Sequence, residues 1–140
     1  MIDLQIDADQ VETLKTAFDL IEPRGEEFTA AFYGHFLGNY PEVRVVFASV
    51  DMDRQHKKLF KALKMIVGGL KNPGELATYL SMLGDKHRDV YVVESQDYFM
   101  FKRALLDTFA EFLDERWTEE MKVAWAIAFD KISARMRDRG

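Results

Sequence analysis

Residues 32–47 read FYGHFLGNYPEVRVVF, and the spacing of apolar side chains in this stretch decides the fold. Phe32 and Phe36 continue a line that begins at Phe28, while Tyr33 and Leu37 continue an adjacent line from Ala30. Steps of three and four place both lines on one side of an α-helix, predicted over 26–39. Pro41 then opens a short helical segment carrying Val43, Val46 and Phe47, because proline fits the first helical position, where no backbone donor is needed. A strand would alternate with period two between turn residues, and this stretch does not.

The same spacing extends outward in both directions. Before it, Val11, Leu14, Ala17, Phe18 and Ile21 form one stripe of a helix predicted to start at Asp9, with Glu12 completing a capping pattern and Pro23 and Gly25 ending it. After it, a polar link is expected over 48–53, and then Gln55, Leu59, Ala62, Leu63, Ile66 and Leu70 share one face of a helix over 54–70. Pro73 restarts the chain with Asn72 as its cap, and Leu76, Leu80, Leu83 and His87 follow at steps of four, three and four. Ser95 is the expected cap of a helix whose inner stripe is Tyr98, Phe101, Leu105, Phe109 and Phe112. Thr118 caps the last, whose inner face carries Met121, Trp125, Ala128 and Ile132. The chain reads as all-α, without internal repeats or an interdomain linker.

Composition sets the outer bounds. At 140 residues the chain has room for one domain, 1–140. Twenty-four acidic against 19 basic residues give a net charge of −5, the wrong sign for a surface that tracks phosphates, so nucleic acid is not an expected partner. The absence of cysteine removes disulfides, thiolate metal sites and cysteine nucleophiles together. The acidic start MIDLQIDADQ lacks a signal pattern and no apolar run is long enough to span a bilayer, so a cytoplasmic protein without membrane association is expected, as a monomer or weak homodimer.

The informative residues are the polar ones on inward faces. His87 closes an apolar stripe, Gln55 begins one, and Tyr33 lies between Ala30 and Leu37. Singly, each has an ordinary reading: a hydrogen-bonded core histidine, a residue in a fraying first turn, a tyrosine packing its ring with the hydroxyl on a neighbour. Together, an imidazole, an amide and a phenol on three helices are what a haem pocket with a polar ligand side needs. Imidazole ligates haem iron. A dioxygen ligand carries partial negative charge, which a tyrosine hydroxyl and a glutamine amide stabilise by donating hydrogen bonds in a low-dielectric pocket.

Over essentially its whole length the sequence resembles a single-domain bacterial globin, similar to the haem domain of flavohaemoglobins. The segment 32–47 looks like the second and third globin helices, RQHKKLFKAL from Arg54 like the distal helix, and LGDKHRDVYVV from Leu83 like the proximal one. The resemblance implies a globin fold of six to eight helices enclosing haem, with His87 as the iron ligand. It implies Tyr33 and Gln55 on the distal, gas-binding side, Phe47 and Leu59 shaping the cavity, and Lys58 toward a haem propionate. Leu83 and Tyr98 complete the proximal contacts. His56 lies about 100° around the helix from Gln55 and is expected on the solvent side or at the pocket rim.

The family's proximal histidine is paired with a tyrosine and a glutamate. Here Tyr98 falls one residue later than expected, and the glutamate position falls on the last residues, where Gly140 stands with Asp138 nearby. The resemblance implies reversible binding of O2, NO and CO. NO dioxygenase activity is expected to need electrons from an external reductase, since no flavin or nicotinamide domain is expected within these 140 residues. The rival readings are a haem gas-sensor module of a longer signalling protein and a haem-free globin-like interaction module.

Overall fold

The computed structural model describes residues 6–89 and 95–137, and within them the chain forms seven α-helices and no strand. These are α1 (Ala8–Ile21), α2 (Gly25–Asn39), α3 (Pro41–Arg44), α4 (Met52–Gly69), α5 (Pro73–Asp89), α6 (Ser95–Leu113) and α7 (Glu119–Arg137). Short 3-10 turns join α1 to α2 and follow α6.

The helix starts follow local chemistry, with two corrections. Asp7, not Asp9, caps α1: its carboxylate accepts from the Asp9 N–H at 2.8 Å, so the helix begins two residues ahead of the predicted capping pattern. The link before α4 is also shorter than 48–53, because Asp51 caps that helix by accepting from the Arg54 N–H. At α7 the Thr118 hydroxyl accepts from the Met121 N–H at 3.1 Å, as predicted. Pro41 and Pro73 each stand first in their helices, and the Asn72 carbonyl accepts from the Leu76 N–H at 3.0 Å. Ser95 is the first residue of α6, and the residues before it, including the VYVV segment, lie outside the described residues, as do Asp138 and Gly140.

Most of the predicted stripes meet in one core, but Ala30 is exposed, and α3 ends at Arg44, so that Val46 lies exposed and Phe47 half-buried in the turns beyond it. Phe28, Phe32, Phe109, Leu14, Ile21, Leu80 and Leu105 are fully buried, each worth roughly 1.5–3 kcal/mol relative to exposure. Phe28 packs at 4.8 Å on Phe109, which is stacked on Trp117 at 5.2 Å and tilted against Trp125 at 4.6 Å. Buried Thr29 and Thr108 return their hydroxyls to the carbonyls of Gly25 and Ala104 one turn back.

Three packings position the site. Helix α2 lies against both α4 and α6, and α5 lies against both α4 and α7. Arg44 ties α3 back onto α2, its Nε donating to the Leu37 carbonyl at 2.8 Å in the last turn. Gly84 fixes α5 on α7: a Cβ there would overlap the backbone carbonyl of Met136, so only glycine permits this approach. Gly84 lies three residues before His87, one turn along α5.

Candidate functional site

Tyr33 stands in the middle of α2 at 4% exposure, and its neighbours are mainly rings. Phe32 meets it edge-on at 5.0 Å, Phe47 edge-on at 5.6 Å, and Phe36 lies at 6.5 Å. Its hydroxyl is reached from α4, where the Gln55 Nε2 donates to the Tyr33 oxygen at 2.9 Å. Burial pushes the phenol's pKa up to about 12, with the Gln55 bond working in the opposite direction. Tyr33 is therefore a neutral O–H at physiological pH. Because Gln55 uses the oxygen as an acceptor, the hydroxyl proton remains to be donated elsewhere.

Gln55 and His56 both sit in the first turns of α4, held by the Asp51 cap and by the Gln55 N–H donating to the Asp51 carbonyl at 3.0 Å. His56 is half-buried and lies nearly parallel to the Tyr33 ring, with centroids 5.3 Å apart and planes 20° apart. It is packed against Tyr33 rather than standing in open solvent. Leu59, one turn on from Gln55, is buried, Phe47 is half-buried between Tyr33 and Phe36, and Lys58 is exposed.

The second group of predicted residues lies on α5 and α6. His87 is half-buried, with Nδ1 2.7 Å from the Leu83 carbonyl one turn back. A carbonyl accepts only, so this contact requires the proton on Nδ1 and makes Nε2 the lone-pair nitrogen. Burial holds the His87 pKa below the usual imidazole range; the carbonyl bond opposes this, and nearby Lys86 adds to it. The Tyr98 ring lies 6.4 Å from the imidazole and is buried, with the Arg137 guanidinium 5.5 Å over its face. Leu83 is half-buried against the core.

Helix α6 touches both groups, with Tyr98 beside His87 and Phe101 against the rings of α2. Phe101, three residues from Tyr98 on α6, packs on Phe32 at 4.6 Å and on Phe36 at 5.6 Å, the two residues that flank Tyr33. The phenol–amide pair and the imidazole are thus presented by neighbouring helices of one core. The third histidine, His35, is committed elsewhere, its Nε2 2.6 Å from a Glu111 carboxylate oxygen at the surface between α2 and α6.

What the sequence did not indicate is the contact of His56 with Tyr33. Adjacent helical residues diverge by about 100°, yet a ring crossing the end of α4 touches both Gln55 and His56. A separate groove of about 360 Å³ runs between the starts of α1 and α7, lined by Asp9, Gln10, Thr13, Glu119, Glu120 and Val123. It shares no residue with the site, and its carboxylates complement the two helix dipoles.

A family model described as Globin matches residues 30–136. A leghemoglobin of Canavalia lineata is 27% identical over 137 residues, 91% of each chain. A flavohemoprotein of Vibrio cholerae is 23% identical over 123 residues, 86% of this chain; the chain spans only 31% of that protein's length. Among solved structures, a Pseudomonas aeruginosa protein described as structurally highly homologous to a human hemoglobin superposes with a TM-score of 0.81 at 24% identity, covering 91% of this chain and 95% of that one.

Proposed function

Given that this chain belongs to the globin family, we propose that it binds haem through His87 and holds a diatomic gas ligand with Tyr33 and Gln55. The residues present suit the group. The Nδ1 contact with the Leu83 carbonyl fixes the imidazole's tautomer and orientation, as the outer nitrogen of a metal-bound histidine usually is fixed. The lowered His87 pKa keeps that imidazole neutral, the form that ligates. Leu83 and Tyr98 would line the His87 side, while Phe47 and Leu59 would line the opposite side. Lys58, exposed at the first turns of α4, would hold a propionate with its aliphatic stem along the porphyrin edge. Haem, when bound, supplies an iron that takes O2, NO and CO reversibly.

The observation that carries the reading is the Gln55–Tyr33 hydrogen bond. By donating to the phenolic oxygen, Gln55 strengthens the Tyr33 O–H as a donor, since hydrogen bonds in series polarise one another. Burial keeps that proton in place at neutral pH. Such a donor discriminates by charge, holding polar O2 and leaving less polar CO nearly unaffected. Tight retention favours ligand capture, NO chemistry or sensing over bulk oxygen transport. The enzymatic form of this proposal is NO dioxygenase activity, the conversion of O2 and NO to nitrate with electrons drawn from an external reductase.

Tyr33→Phe keeps the ring and removes the donor, so it tests the reading directly. A hydrogen bond worth about 0.5–1.5 kcal/mol, and up to about 3 to a charged partner, predicts an O2 dissociation rate a few-fold to about a hundredfold faster. CO dissociation should hardly change. Equal acceleration of both gases, or none for O2, would overturn the assignment of Tyr33 and Gln55.

A further inference from the structure

We infer that His56 is a positioning residue for the gas-binding side: its imidazole, laid against the open face of the Tyr33 ring, holds the phenol where Gln55 can orient its hydroxyl. The inference rests on the reading of Tyr33 as the hydrogen-bond donor to the gas. Three phenylalanines surround the tyrosine, and two of them meet it edge-on. Among the described residues His56 alone lies nearly parallel to it, at 5.3 Å and 20°, in the offset arrangement that aromatic pairs favour. His56 and Gln55 are consecutive in the chain and share the Asp51-capped start of α4. One helix end therefore makes two contacts with one side chain, a hydrogen bond to the oxygen and a ring against the face.

Two contacts restrict more than one. The hydrogen bond by itself fixes the distance from the Tyr33 oxygen to α4 but lets the ring rock about its own axis. The flat contact stops that rocking, and with it the swing of the hydroxyl proton. His56 is half-buried, so its removal also opens the face of the phenol to water. The raised pKa of Tyr33, caused mainly by burial, fits a ring closed on this side.

The test compares wild type, His56→Ala, His56→Phe and Tyr33→Phe as haem-loaded proteins. The readouts are O2 dissociation, CO dissociation and the infrared C–O stretch of the CO form, which reports the field from distal donors. The inference predicts that His56→Ala speeds O2 release by about two- to tenfold, the range of one aromatic pair, with CO release unchanged and the C–O band broadened or split. His56→Phe, which restores a flat ring without polar atoms, should return all three readouts toward wild type. Wild-type behaviour of His56→Ala would overturn the inference. So would failure of His56→Phe to rescue, which would make the imidazole itself a polar contact of the gas. A purely structural role would change haem retention or thermal stability while leaving the ratio of O2 to CO dissociation unchanged, and that result overturns it too. Unchanged O2 release in Tyr33→Phe would instead remove the reading of Tyr33 on which the inference stands.

Discussion

Alkaline stability offers a test of the Tyr33 environment that does not require a gas. The phenol is pushed from its ordinary 10.0 to about 12, chiefly by burial, so the folded chain holds this proton more tightly than the unfolded chain does. Its contribution is therefore complete below the unfolded value and is lost as pH rises from 10.0 toward about 12. The gap corresponds to roughly 3 kcal/mol in full, and about half of it is gone by about pH 11. Tyr33→Phe removes the titration. At about pH 8 the variant should be less stable than wild type by roughly 1 kcal/mol, since Gln55 loses its acceptor, and by about pH 11 that deficit should have closed or reversed. Urea unfolding followed by far-UV circular dichroism at both pH values measures this. Every other ionisable group is common to both proteins and cancels in the difference. Parallel pH curves for wild type and Tyr33→Phe would refute the argument that burial of this phenol governs its ionisation.

Two further predictions concern the framework and the rim. Gly84→Ala drives a methyl into the Met136 carbonyl, so α5 must separate from α7; thermal or urea unfolding should show a loss of at least about 1–3 kcal/mol, and haem uptake should weaken because His87 lies one turn away. A Gly84→Ala protein of wild-type stability would contradict the close approach of the two helices. Lys58→Ala should speed haem transfer to an acceptor globin only slightly, because an exposed ion pair is worth about 0–1 kcal/mol; a loss comparable to that of the His87 variants would mean that Lys58 does more than meet a propionate.

Much of this was legible from spacing, because an α-helix converts a sequence interval directly into an angle. The stripes from Val11 to Ile21 and from Leu76 to Leu80, and the buried line of Phe28, Phe32 and Phe36, are inward faces as their steps of three and four require. Thr118, Pro41 and Pro73 marked helix starts because their chemistry acts within one turn. Asp9 misled where Asp7 caps, since two aspartates two residues apart offer the same side chain and only the backbone path selects between them. Tyr33 and Gln55 stand out in the sequence as polar residues on apolar faces, but their meeting at 2.9 Å depends on how α2 crosses α4, which no single helix encodes. His56 shows the limit most clearly. A helical wheel turns it away from Gln55, but the wheel has no information about a ring from another helix lying across the end of α4. Gly84 was likewise silent, since a glycine inside a helical pattern shows its purpose only when the backbone of α7 arrives against it.

The central claim is that His87 holds iron, and the visible spectrum of His87→Gly with and without added imidazole tests it most directly. Wild type should take up haem with a strong Soret band and a five-coordinate ferrous form. His87→Gly should lose or greatly weaken haem retention, and free imidazole, entering the space left by the side chain, should restore the band. A His87→Gly protein that keeps a normal five-coordinate ferrous spectrum without imidazole, while a His35 or His56 variant loses haem, would contradict the assignment and the proposed function built on it.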